Sequence, residues 1–145
     1  MKSSINIFYV DDDVDDQDLF REAVAELNGA CEVAVQNNGN ELIAKLKSPL
    51  PIPDMIFLDL NMPGMNGYQA LREIRDNDKT RYVPVIVFST SDDDRAINTM
   101  RELGANLYIP KPTSYKAIKK VLHHSLAINW SLFETGDENF VYRVS

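Results

Sequence analysis

Apolar runs alternate with amphipathic stretches from one end of the chain to the other. Residues 5–10, Ile-Asn-Ile-Phe-Tyr-Val, are rich in β-branched and aromatic side chains and predict a strand. Over 14–27 the apolar residues Leu19, Phe20, Ala23, Val24 and Leu27 recur at helical spacing. Asn28-Gly29 closes that helix, Gly29 suiting the left-handed conformation past a helix end. Residues 31–35 form a second strand, and Asn38 or Asn40 caps a helix carrying Leu42, Ile43 and Leu46 that Pro49 ends. Met55-Ile56-Phe57-Leu58, bounded by Asp54 and a Pro63-Gly64 turn, predicts a buried strand of a parallel sheet. A third helix spans 65–75 through Tyr68, Leu71 and Ile74, and a fourth strand spans 83–88. Ser91-Asp92-Asp93-Asp94 matches a capping box ahead of Ala96, Ile97, Met100 and Leu103, and Gly104 stops that helix. A fifth strand, 105–109, breaks at Pro110-Lys111-Pro112, and a last helix spans 113–128 with Tyr115, Ile118, Val121, Leu122 and Leu126 inward. Five strands separated by helices imply an α/β fold, a doubly wound parallel sheet covered on both faces.

Composition narrows this picture. The 145 residues suit one domain with a sizeable core, taken as 1–128, and 129–145 is a C-terminal extension too short for an output domain. A net charge of -7 argues against nucleic acid or an anionic membrane as partner. The single cysteine, Cys31, reads as a small buried apolar residue. No apolar stretch approaches a membrane span and the first residues lack a signal-peptide pattern, so the expected location is cytoplasmic. Trp130, Phe133, Phe140 and Tyr142 give the extension more aromatic character than a disordered end has. It either folds back onto the domain or forms a dimer or partner contact, with a turn at Gly136-Asp137 before a strand-like 140–144. A homodimer through the last helix or the extension is one expectation. His123 and His124 read as exposed helix residues.

Polar residues gather at four strand ends. The first strand runs into Asp11-Asp12-Asp13, the third into Asp59, the fourth into Ser89-Thr90-Ser91 and the fifth into Lys111. In a parallel sheet these ends share one edge, where open α/β folds place their ligands. Each piece alone reads more simply as a cap or a turn residue; the four together do not. Asp11, Asp12 and Asp59 within a few ångströms would repel one another, and a divalent cation with oxygen ligands such as Mg²⁺ resolves this. Lys111 adds a positive charge and Ser89 a hydroxyl. The set suits a phosphoryl group, with Asp59 as nucleophile.

These residues, together with the segment Asp59-Leu60-Asn61-Met62-Pro63-Gly64-Met65-Asn66-Gly67 and Lys111-Pro112, resemble the receiver domain of two-component response regulators, over roughly 5–128. The resemblance implies a flavodoxin-like (βα)5 fold with strand order 2-1-3-4-5. It implies a signalling domain rather than an enzyme acting on a separate substrate, phosphorylated by a histidine kinase or histidine phosphotransfer protein. Asp59 is then the phosphoacceptor. Asp12 is a direct ligand of Mg²⁺ (or Mn²⁺), Asp11 binds through water and Asn61 contributes its backbone carbonyl. Ser89 follows the phosphoryl group, Lys111 pairs with it, and Tyr108 is an aromatic switch that turns inward as Ser89 moves. Asn61, Thr90 and Ser91 tune the lifetime of the phosphoryl group, and the Lys111–Pro112 bond is expected to be cis.

Pro110 before Lys111, the bulk of Thr90 and the acidic rim of Asp13, Asp15, Asp16 and Asp18 depart from the commonest receiver pattern. The rim reads as a solvated helix start before it reads as a dock for a basic partner. A haloacid-dehalogenase-type phosphatase would need a carboxylate where Asn61 stands. A flavodoxin-type FMN site would have its phosphate repelled by Asp11-Asp12-Asp13. A receiver-like scaffold without phosphate chemistry fits poorly with the intact constellation.

Overall fold

The chain forms β1 (Ile5–Val10), α1 (Val14–Ala25), β2 (Cys31–Gln36), α2 (Gly39–Leu46), β3 (Met55–Leu58), α3 (Gly67–Asp76), β4 (Val85–Ser89), α4 (Asp94–Glu102), β5 (Leu107–Pro110) and α5 (Tyr115–Ala127). This is a computed structural model describing residues 4–48, 52–62 and 64–144. The strands form one sheet in the order β2-β1-β3-β4-β5, and every pairing is parallel. Val10 lies opposite Leu58, Leu58 opposite Val87, and Ser89 opposite Pro110, so the carboxyl ends of four strands are level.

Period-2 alternation sorts the core into two layers. Ile7, Tyr9, Phe57, Phe88 and Ile109 face Phe20, Ala23 and Val24 of α1 and Ile118, Val121 and Leu122 of α5. Phe8, Val10, Leu58, Val87 and Tyr108 face the other way, onto Leu42 of α2, Leu71 and Ile74 of α3, and Met100 of α4. Residues that follow each strand continue its rows. Asp11, Asp59 and Lys111 extend the rows on the α1/α5 side, whereas Ser89 shares the α4 side with Tyr108. Beneath the site the Tyr9 ring stacks on Phe20 at 4.2 Å, and Phe20 meets Phe57 edge-on at 5.0 Å, anchoring the middle of α1.

Local signals explain where the ends fall. Helix α1 stops at Ala25, short of Leu27, because Asn28 and Gly29 both turn left-handed (φ 53° and 84°). Asn38 caps α2 by accepting from the Glu41 amide; Pro49 lies outside the described residues. Helix α3 begins at Gly67 rather than Met65, since Asn66 and Gln69 form a reciprocal capping box. The predicted box on Ser91 and Asp94 does not form. Asp93 adopts the extended capping conformation and accepts from the Ala96 amide, which leaves Ser91 free for the site. Strand β4 begins at Val85, after Pro84, whose missing N–H cannot join the ladder. Helix α5 starts at Tyr115 with Ser114 as its cap.

The extension folds back. Trp130 Nε1 donates to the Ser125 carbonyl at 3.2 Å, and Thr135 Oγ1 donates to the Asn106 carbonyl at 3.0 Å. After a turn over 137–139, Phe140 is buried and Val141 forms a single parallel bridge with Tyr108 on the free edge of β5. The strand-like stretch is thus one bridge, not a full strand. His123 is exposed as expected, but His124 is not; Tyr142 stacks on its ring at 3.6 Å, and burial lowers its pKa.

Gly67 fixes how closely α3 approaches the end of β3. A Cβ there would lie 2.6 Å from the Asp59 carbonyl oxygen and 2.7 Å from Leu60 Cα, both backbone. Gly67→Ala should therefore destabilise the domain by about 1–3 kcal/mol, read as a lower urea midpoint at unchanged m-value.

Candidate functional site

The level strand ends bring the predicted residues together. Asp11 is fully buried and both of its carboxylate oxygens accept hydrogen bonds. Oδ1 accepts from the Asp13 amide at 3.0 Å, and Oδ2 accepts from the Tyr9 hydroxyl at 2.8 Å and the Lys111 ammonium at 2.6 Å. Burial and the Asp11 charge push the Tyr9 hydroxyl far up, so it stays a neutral donor. The Asp11 carbonyl is held by Gln17 Nε2 at 2.6 Å, which ties the first turn of α1 to the end of β1. Asp13 caps that helix by accepting from the Asp16 amide, the structural role open to it from the start.

Asp59 is 6% exposed. Its own Oδ1 accepts from the Leu60 amide at 2.9 Å, and Lys111 Nζ lies 3.7 Å from Oδ2. Burial is the largest influence on its carboxyl, and the charge of Asp11 adds to it; Lys111, the Ser89 hydroxyl and the Leu60 amide pull the other way. The net result is a pKa of about 6, far above the usual carboxylate range. Burial lowers the Lys111 pKa, but hydrogen bonds to Asp11 and Asp16 and the charge of Asp59 outweigh it, so the ammonium stays charged.

Lys111 shows what sequence reasoning missed. Its ammonium donates to Asp16 Oδ2 at 2.8 Å as well as to Asp11. Asp16 is not merely part of a solvated rim; from the first turn of α1 it pairs with Lys111. The available signal was weak, since a helix start rich in aspartate is explained by the helix dipole alone.

On the α4 side, Ser89 is fully buried and its Oγ accepts from the Ser91 amide at 3.3 Å. Asn61 Nδ2 donates to Ser91 Oγ at 2.9 Å, bridging the β3 and β4 loops. Thr90 points to solvent, and Asp12 is exposed. Tyr108 is fully buried, and its hydroxyl donates to the Ser91 carbonyl. The Tyr108 ring therefore lies inward.

Asp11, Asp12 and Asp59 each offer a carboxylate oxygen, and these lie within 4.8 Å of one another. Two buried and one exposed acid with one neighbouring ammonium form an oxygen-only donor set of excess negative charge, which fits a hard divalent cation such as Mg²⁺ or Mn²⁺. Among the described residues no helix is long and apolar enough to cross a membrane.

A family model described as the response regulator receiver domain matches residues 7–123. Protein PilH of Pseudomonas aeruginosa is 30% identical over 96 residues, 66% of this chain and 78% of PilH. The chain spans 53% of a longer relative, the nitrate/nitrite response regulator NarL of Escherichia coli. Among solved structures, the phosphorylated cyanobacterial phytochrome response regulator RcpA superposes with a TM-score of 0.80 at 31% identity, covering 86% of this chain and 95% of RcpA. The Mn(2+)-bound response regulator Rcp1 superposes at 0.77 and 26% identity, covering 91% and 99%. The match from β1 into α5, on a sheet of order β2-β1-β3-β4-β5, means that this chain belongs to the receiver domain family of two-component response regulators.

Proposed function

We propose that the chain is a phosphorylation-dependent switch in a two-component phosphorelay, with Asp59 as phosphoacceptor for a histidine kinase or histidine phosphotransfer protein. One observation carries this: a buried, anion-ready carboxylate at a strand end, with an ammonium at 3.7 Å, a buried hydroxyl beside it and two more carboxylates within metal-sharing distance. That RcpA is known phosphorylated and Rcp1 with Mn²⁺ supports the same reading.

In this reading an Asp59 oxygen attacks the phosphorus of a phosphohistidine, the P–N bond breaks and the imidazole takes up a proton. Asp12, Asp59 and the Asn61 carbonyl, with Asp11 through water, would hold Mg²⁺, which when bound would supply charge neutralisation for the incoming phosphoryl oxygens. Lys111 exchanges part of its contact with Asp11 and Asp16 for one of those oxygens, and the Ser89 hydroxyl donates to another. Asn61 and Ser91, already hydrogen-bonded at 2.9 Å, sit where the hydrolytic water passes and set the lifetime of the product together with Thr90.

Incubation with acetyl phosphate and Mg²⁺ should add one phosphoryl group by intact mass; Asp59→Asn, or omission of the metal, should abolish it. Equal labelling of Asp59→Asn would overturn the assignment.

The raised pKa of Asp59 fixes the pH dependence. Without metal the folded protein favours the protonated carboxyl more than the unfolded chain does. Its contribution to stability is present below the ordinary carboxylate pKa and is lost as pH rises through about 6. Metal binding needs the ionised form and so has the opposite sign. Mg²⁺ affinity, titrated calorimetrically, should rise up to about tenfold per pH unit below the Asp59 pKa and level off above it. Asp59→Asn should remove that step.

A further inference from the structure

One residue joins the C-terminal extension to the phosphoacceptor site. The Tyr108 amide donates to the Phe140 carbonyl at 2.8 Å, and the Tyr108 carbonyl accepts from the Tyr142 amide at 3.0 Å. The Tyr108 ring packs against Phe140 with centroids 6.3 Å apart. The Tyr108 hydroxyl reaches the Ser91 carbonyl. Ser91 in turn donates its amide to Ser89 Oγ and takes a hydrogen bond from Asn61, and the Ser89 hydroxyl stabilises the Asp59 anion. From Phe140 to Ser89 every step is a direct contact, and Ser89 acts on Asp59 through its hydroxyl. The extension is also pinned on both flanks. Arg101 pairs with Asp137, Arg143 lies 3.7 Å from Asp92, and Tyr142 stacks on His124.

We propose that segment 134–144 is a built-in ligand of the β5 edge that holds Tyr108 inward, so that docking of this segment and occupancy of Asp59 reinforce each other. The inference rests on Asp59 as phosphoacceptor and goes beyond it. An outward swing would take the Tyr108 ring off its Phe140 packing and its hydroxyl off Ser91, so the docked segment selects the buried ring. An anionic phosphoryl group on Asp59 draws the Ser89 hydroxyl as a donor. Ser89 Oγ then gives up its long 3.3 Å contact with the Ser91 amide, and the 89–91 loop follows toward Asp59. The inward Tyr108 hydroxyl holds that loop by its Ser91 carbonyl. Both events select one position of Tyr108, and coupling through a shared state is reciprocal.

The test uses the whole chain and beryllium fluoride with Mg²⁺ as phosphoryl mimic. Its affinity is measured calorimetrically for the wild type, Phe140→Ala and Tyr142→Pro, the last removing both the N–H that bonds the Tyr108 carbonyl and the ring that stacks on His124. Amide hydrogen exchange of 138–144 and Tyr108 is followed with and without the mimic. Both variants should bind about fivefold or more weakly, and the mimic should slow exchange of the Tyr142 and Tyr108 amides in the wild type. Equal affinity in all three proteins, or faster exchange of the Tyr142 amide on adding the mimic, overturns the coupling while leaving the phosphoacceptor reading intact. If Phe140→Ala does not fold, Tyr142→Pro and the exchange experiment decide. Failure of the mimic to bind the wild type, or equal binding to Asp59→Asn, overturns both.

Discussion

The Lys111 ammonium lies 2.6 Å from Asp11, 2.8 Å from Asp16 and 3.7 Å from Asp59, with its side chain only 8% exposed. Asp11 and Asp59 are themselves buried, so the end of the sheet carries charges that water cannot solvate. Removing one partner of a buried pair typically costs about 3–5 kcal/mol, because the other is left uncompensated. Lys111 thus permits the carboxylates to exist where they do. One ammonium cannot neutralise three acids, however, and burial, with the Asp11 charge added to it, raises the Asp59 pKa against the pull of Lys111. The same excess of negative charge suits a hard divalent cation beside Asp11, Asp12 and Asp59. Structural tension and chemical readiness are one electrostatic fact.

Much of this was legible because strand period and strand ends are local properties. Apolar runs located β1, β3, β4 and β5, and the first polar residue after each run falls on the shared carboxyl edge. Hence the sequence alone groups Asp11, Asp59, Ser89 and Lys111 on one edge. Asp16 could not be singled out, since an acid in the first turn of α1 satisfies the helix dipole with or without a lysine opposite. The capping of α4 was ambiguous for a related reason. Ser91 and Asp93 are both competent acceptors, and the choice of Asp93 depends on Ser91 being engaged by Asn61, a residue distant in sequence. The burial of His124 likewise depends on Tyr142, which arrives from the far side of a turn.

The fold-back of the extension was one of two open readings because main-chain pairing at an edge has no side-chain signature. Strand alternation still explains where it lands. Within β5, Leu107 and Ile109 turn their backbone groups toward β4, while Tyr108 and Pro110 turn theirs outward. Pro110 has no N–H, which leaves Tyr108 as the residue of β5 with an open donor on that edge. The Phe140 carbonyl takes that donor, and the Tyr142 amide takes the carbonyl beside it.

Edge protection alone would account for a bridge at Tyr108, and the same geometry makes the bridge more than protection. The residue whose backbone must be covered is the residue whose hydroxyl reaches the Ser91 carbonyl, and Ser91 touches both Ser89 and Asn61. Burial also holds the Tyr108 hydroxyl well above its ordinary pKa, so it remains a donor at any physiological pH. A cap placed on any other strand edge would leave the Asp59 loop indifferent to it. Placed here, the segment holds the Tyr108 ring in its buried position. Under the proposed role of Asp59, the strength of that hold on Tyr108 enters the equilibrium that a phosphoryl group there would bias.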